Sequence, residues 1–102
     1  MRLKISIALT GLFLVGCSDS DVRKLQAPVR ARLVDPESAR FGDAIFNREM
    51  REACIEYNAK NRMGGYNGQK IAYLRVVRNE WEVGDMDATQ VQCPNNGKVV
   101  KG

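Results

Sequence analysis

Apolar residues fall into three regimes along the chain. Residues 5–16, ISIALTGLFLVG, carry no charge at all. Val22, Leu25, Val29 and Leu33 then recur at helical spacing, with Asp21 or Ser20 placed to cap the start. Pro28 falls inside that stripe, so the helix either kinks there or begins there. Asp35-Pro36-Glu37-Ser38 ends it and opens a new turn.

From Phe41 the pattern is strand-like. Phe41–Arg48 reads as a strand with Phe41 and Ile45 on one face and Ala44 and Phe46 on the other. After a hairpin turn at Asn47–Arg51, Glu52–Lys60 alternates Ala53, Ile55 and Tyr57 with Cys54, Glu56 and Asn58. Glu49, Glu52 and Glu56 would share a helical face, which is the competing reading of this stretch. Gln69–Arg78 is rich in β-formers, and Arg78-Asn79-Glu80 turns it into a short strand at Trp81–Val83. Residues 85–93 fit a short helix or a strand equally, before Pro94 and Asn95-Asn96-Gly97 stop either. The pattern predicts an α+β domain over 22–102: an N-terminal helix, a three- to four-stranded antiparallel meander and a possible short C-terminal helix.

The first regime is not part of that fold. Arg2 and Lys4 precede the apolar run. As a helix its twelve residues would rise only ~18 Å against a hydrocarbon core of ~30 Å. A secretory signal fits over residues 1–16, a membrane span does not. The run ends in Leu14-Val15-Gly16-Cys17, which resembles the lipobox of bacterial lipoproteins. The resemblance implies cleavage before Cys17, a diacylglycerol thioether on its sulfur and acylation of the freed amine. Residues 17–21 then form a lipidated tether to the membrane. Ser18 follows the cysteine, with Asp19 one position later. By the simple sorting rule this favours the periplasmic face of the outer membrane over the inner one.

Charge adds little once the signal is removed. The chain carries 16 Lys+Arg and 12 Asp+Glu, a net charge of +4, and Arg2 and Lys4 supply half of that excess. No basic run with interleaved aromatics survives, so nucleic acid is not an expected partner. The absence of His removes imidazole acid–base chemistry and the commonest metal ligand. No cofactor or metal is expected, and nothing calls for more than a monomer. With Cys17 lipidated, Cys54 and Cys93 remain as an even pair in an oxidising compartment, which reads as a disulfide. Closing that loop stabilises the fold by roughly 3–4 kcal/mol.

Two segments stand apart. Leu33-Val34-Asp35-Pro36-Glu37-Ser38-Ala39-Arg40-Phe41 is one, and Cys54 through Asn58, Lys60, Asn61, Gly64-Gly65-Tyr66 and Gly68 is the other. Together they resemble an uncharacterised family of small proteobacterial envelope proteins with DPxSAxF and NxKNxxGGYxG motifs. The resemblance brings no activity with it. Read physically, the loop offers glycines for unusual backbone, asparagines for turns, two cations and an aromatic ring. Lys60, Asn61, Arg62, Gly64, Gly65, Tyr66 and Gly68 are therefore the candidate ligand- or partner-binding residues, against the alternative that the loop is structural with Tyr66 folded onto the core. No acid, base and nucleophile converge in the pattern, so no catalytic residue is assigned. The expected function is a non-enzymatic, lipid-anchored envelope protein that binds an envelope protein, peptidoglycan or another polymer. A small envelope hydrolase, or an inhibitor of a wall-degrading enzyme, is the alternative.

Overall fold

The structure, a computed structural model, describes residues 21–102. The signal sequence, Cys17 and the tether through Ser20 lie outside the described residues. Residues 21–30 are helical and are called α1. The 3-10 turn Pro36–Ser38 leads into strands β1 (Arg40–Asn47), β2 (Glu52–Asn58), β3 (Lys70–Val77) and β4 (Glu80–Asp85). A second 3-10 turn, Gln90–Gln92, precedes β5 (Lys98–Val100). The spatial order is β4-β3-β2-β1-β5, and every neighbouring pair is antiparallel.

The expected α+β class with a three- to four-stranded meander is thereby overturned. A five-stranded antiparallel sheet dominates, one described helix covers it, and the described residues are mainly β. β1 to β4 follow one another as a meander, but β5 does not extend it. Residues 86–97 carry the chain from the β4 edge across to the opposite edge, where β5 pairs with Ala44–Phe46 of β1. Three residues after Asn95-Asn96-Gly97 hold too little alternation to register as a strand. The pairing becomes possible because Gly97 lies against β1: a Cβ there would overlap the carbonyl of Phe46. Residues 85–93 are likewise neither a helix of useful length nor a strand beyond Asp85. They contain only the turn Gln90–Gln92, whose start is fixed by the Thr89 N–H donating to Gln92 Oε1 at 2.9 Å.

The α1 stripe is the one the spacing predicts. Leu25 and Val29 are fully buried, and Val22 and Leu33 pack beside them. The helix runs through Pro28 and stops two residues later. Leu25 and Val29 meet one face of the sheet: Ala44 and Phe46 of β1, Ala53, Ile55 and Tyr57 of β2, and Ala72 and Leu74 of β3. Full burial of a residue such as Ile55 or Leu74 contributes about 1.5–3 kcal/mol. Trp81 meets Phe46 edge-on, with ring centroids 6.0 Å apart.

Phe41 also packs on this core, on the same side as Ala44 and Phe46 rather than opposite them. A register shift between Phe41 and Ala44 reverses the expected alternation. Glu56 holds it: its carboxylate accepts the Asp43 N–H at 2.9 Å, and a Cβ on Gly42 would fall 2.5 Å from the same oxygen.

The far face of the sheet carries Ile45, Cys54, Glu56, Ile71 and Tyr73. The 86–97 segment reaches this face around the start of β3, where the Ala88 N–H donates to the Ile71 carbonyl at 2.9 Å. Cys54 and Cys93 are joined as a disulfide, with sulfurs 2.08 Å and Cα atoms 5.6 Å apart. The bond fastens the middle of the crossover to the central strand β2.

Candidate functional site

The two sequence segments that stood apart fold into one unit. Ser38 is the strut. Its Oγ donates to the Asp35 carbonyl at 2.7 Å and accepts the Lys60 N–H at 2.9 Å. Its own carbonyl accepts the Tyr66 hydroxyl at 3.0 Å. The Arg40 guanidinium lies 4.3 Å from the centre of the Tyr66 ring. Lys60 and Tyr66 face one another in an isolated antiparallel bridge.

Asn61 organises the rest of the loop. Its N–H donates to the Gly65 carbonyl, its Oδ1 accepts the N–H groups of Met63 and Gly65, and its Nδ2 donates to Asn67 Oδ1 at 2.6 Å. Gly64 and Gly68 adopt φ of +88° and +99°, the left-handed region that a side chain disfavours. The amides of Asn61, Met63, Gly64 and Gly65 thus donate inside the loop and are not free for an anion. Tyr66 is half-buried and engaged with Ser38 and Arg40, while Arg62, Gly64 and Gly65 stand exposed at the tip.

What the loop builds is one wall of a cleft of about 250 Å³. Lys60, Asn61, Asn67 and Gly68 supply that wall. Arg32, Leu33 and Val34 come from the turn that follows α1, Lys70 opens β3, and Tyr57 and Met86 close the floor. Of the seven residues marked in the sequence, Lys60, Asn61 and Gly68 line the cleft; Arg62, Gly64, Gly65 and Tyr66 do not. Arg32 and Lys70 escaped the sequence reading. Arg32 lies in the turn after α1 and Lys70 at the start of β3, and only the topology brings them beside Lys60.

Cations line the cleft, and the carboxylates of Asp85 and Asp87 lie behind its floor, close enough to act on Tyr57. Arg32, Lys60 and Lys70 are those cations, and no carboxylate among the described residues lines the cleft. Tyr57 donates to the Met86 carbonyl at 2.5 Å. Burial first, then the charges of Asp87 and Asp85, hold its pKa above the ordinary value. At neutral pH Tyr57 is therefore a neutral donor committed to the backbone. Leu33, Val34 and Met86 give the cleft apolar walls. Such a site suits an oxyanion carried on a partly apolar molecule.

A second cavity of about 310 Å³ lies on the far face, between the sheet and the crossover. Ile45, Ile71, Val99 and the disulfide line it, with Asp43 and Glu56 among its polar residues. The Gly102 N–H and the Lys101 ammonium both bond to the Asp43 carboxylate and hold it below the usual carboxylate range. Glu56 is thus in a different cavity from Lys60, and Ser38 Oγ is committed to backbone partners on both sides. The three do not converge as a hydrolase would require.

Family models, curated proteins and solved structures were compared with the chain, and none matches.

Proposed function

We propose that this protein is a lipid-anchored component of the bacterial cell envelope, attached through Cys17, which binds an anionic envelope polymer rather than transforming a substrate. Peptidoglycan, whose stem peptides carry carboxylates, is the leading ligand. The observation that carries the reading is the convergence of Arg32, Lys60 and Lys70 on one cleft that no carboxylate among the described residues lines. The struts from Ser38 and the Asn61 network support it, because a pre-formed site loses less entropy on binding.

Placement supports it too. α1 begins four residues after Cys17 in the chain and rises ~15 Å over its described length before Arg32 reaches the cleft. The cleft is at the end of the described molecule opposite Asp21 and its partner Arg48. The anchor itself is tested in cells: Cys17→Ser should abolish labelling by an acyl probe and move the protein out of the membrane fraction. Label and membrane association retained in Cys17→Ser would refute it.

A further inference from the structure

The opposite end of the sheet, where the β1–β2 and β3–β4 hairpins turn, has a separate character. Resting on the reading of Cys17 as the lipid anchor, we propose that this end is a contact surface for anionic phospholipid headgroups. The tether fixes its location. Asp21 pairs with Arg48 in the β1–β2 turn at 2.5 Å, which binds the start of α1 to that turn. Cys17 lies four residues earlier in the chain, and four residues span at most ~14 Å in any conformation. The turn is therefore within reach of the bilayer surface.

The residues there suit an anionic surface. Arg48, Arg51 and Arg78 are exposed in the two turns, and Met50 is 61% exposed between the first two. The turns are neighbours, since the Val76 N–H donates to the Arg51 carbonyl at 3.0 Å. Arg23 and Lys24 in the first turn of α1 and Lys98 at the start of β5 add cations. Asp21, Glu49, Glu52 and Glu80 are the carboxylates in the same turns and element starts, Glu52 being engaged by the Tyr73 hydroxyl.

Backbone conformation gives an independent pointer. Arg51 and Arg78 have φ of +57° and +53°. That region favours Gly or Asn, and a β3–β4 turn with φ above zero at both Arg78 and Asn79 ordinarily takes Asn-Gly. Two arginines occupy positions where their backbone is disfavoured, which makes sense if their charge is used. Cations close to an anionic bilayer each strengthen association about fivefold.

The test uses the mature lipidated protein in nanodiscs of phosphatidylcholine, with and without phosphatidylglycerol. Amide hydrogen exchange is followed in residues 47–52 and 77–80 and, as an internal control, in 61–68. The expected result is exchange slowed about fivefold or more at the hairpins with phosphatidylglycerol present, little change without it, and none in 61–68. Arg51→Gly combined with Arg78→Gly fits the positive φ, so it should fold at least as stably and lose the phosphatidylglycerol-dependent protection. Equal hairpin exchange in both kinds of disc, or protection of 61–68 in place of the hairpins, would overturn the proposal. Protein that does not remain with discs at all would instead refute the anchor, and this proposal with it.

Discussion

Two tyrosines illustrate how single side chains hold the cleft. Tyr57 gives its hydroxyl to the Met86 carbonyl, so Tyr57→Phe should cost about 1 kcal/mol at neutral pH. Its pKa is raised in the folded state. Its stabilising contribution is then full below the unfolded value of about 10 and is lost as pH rises through the folded value. Urea melts from pH 7 to 11 should show a shallower alkaline loss in Tyr57→Phe. Tyr73, raised chiefly by its hydrogen bond to Glu52, keeps the remainder of that loss. Tyr66 differs: it braces the loop through Ser38 without lining the cleft. Tyr66→Phe should cost about 1 kcal/mol in thermal melts and leave ligand affinity unchanged. A large affinity loss with full stability would restore Tyr66 as a contact residue. The glycines, asparagines and aromatic ring of this loop were legible in the sequence, and so was the possibility that Tyr66 is structural. The partners were not, because Ser38 lies more than twenty residues upstream and its bonds run to backbone atoms that any residue possesses.

At the scale of elements, the crossover from β4 to β5 is the least expected part of the fold and depends on two attachments. The first is the disulfide, whose two cysteines are 39 residues apart. Replacing both with Ala should remove about 4 kcal/mol in the chain-entropy account. Thermal melts should register about 4–8 °C for each kcal/mol lost. The second is the close approach of Gly97 to β1. Gly97→Ala should detach β5, seen as fast amide exchange in residues 98–100 while β2 and β3 remain protected, because its Cβ would collide with the Phe46 carbonyl. β1 to β4 were legible because each carries enough alternating residues, and α1 because its stripe has a clear period. β5 was not, being three residues whose pairing is decided by a distant partner and a glycine. Phe41 was assigned to the wrong face for a related reason: the register shift is held by Glu56 on another strand, and no local pattern records that.

For the whole molecule, the sheet separates two ends. One holds the hairpin turns, Arg48 and the start of α1, close to the proposed anchor. The other holds the cleft lined by Arg32, Lys60 and Lys70. The helix connects them, and the disulfide stiffens the face opposite it. The charge pattern of this second end was only half visible in the sequence, since Lys60 belongs to a marked motif while Arg32 and Lys70 join it only through the fold. The cleft is proposed to bind the carboxylates of peptidoglycan. The direct test is calorimetric titration of the lipidated protein, held in neutral phosphatidylcholine nanodiscs, with soluble peptidoglycan fragments and with the same fragments after amidation of their carboxylates. The expected result is saturable binding to the native fragments. It should be weakened at least tenfold by amidation and to a similar extent by Lys60→Ala with Lys70→Ala, charge-assisted hydrogen bonds contributing about 1.5–3 kcal/mol each. No binding to the native fragments, or binding indifferent to both amidation and the lysine substitutions, would contradict the assignment of this cleft.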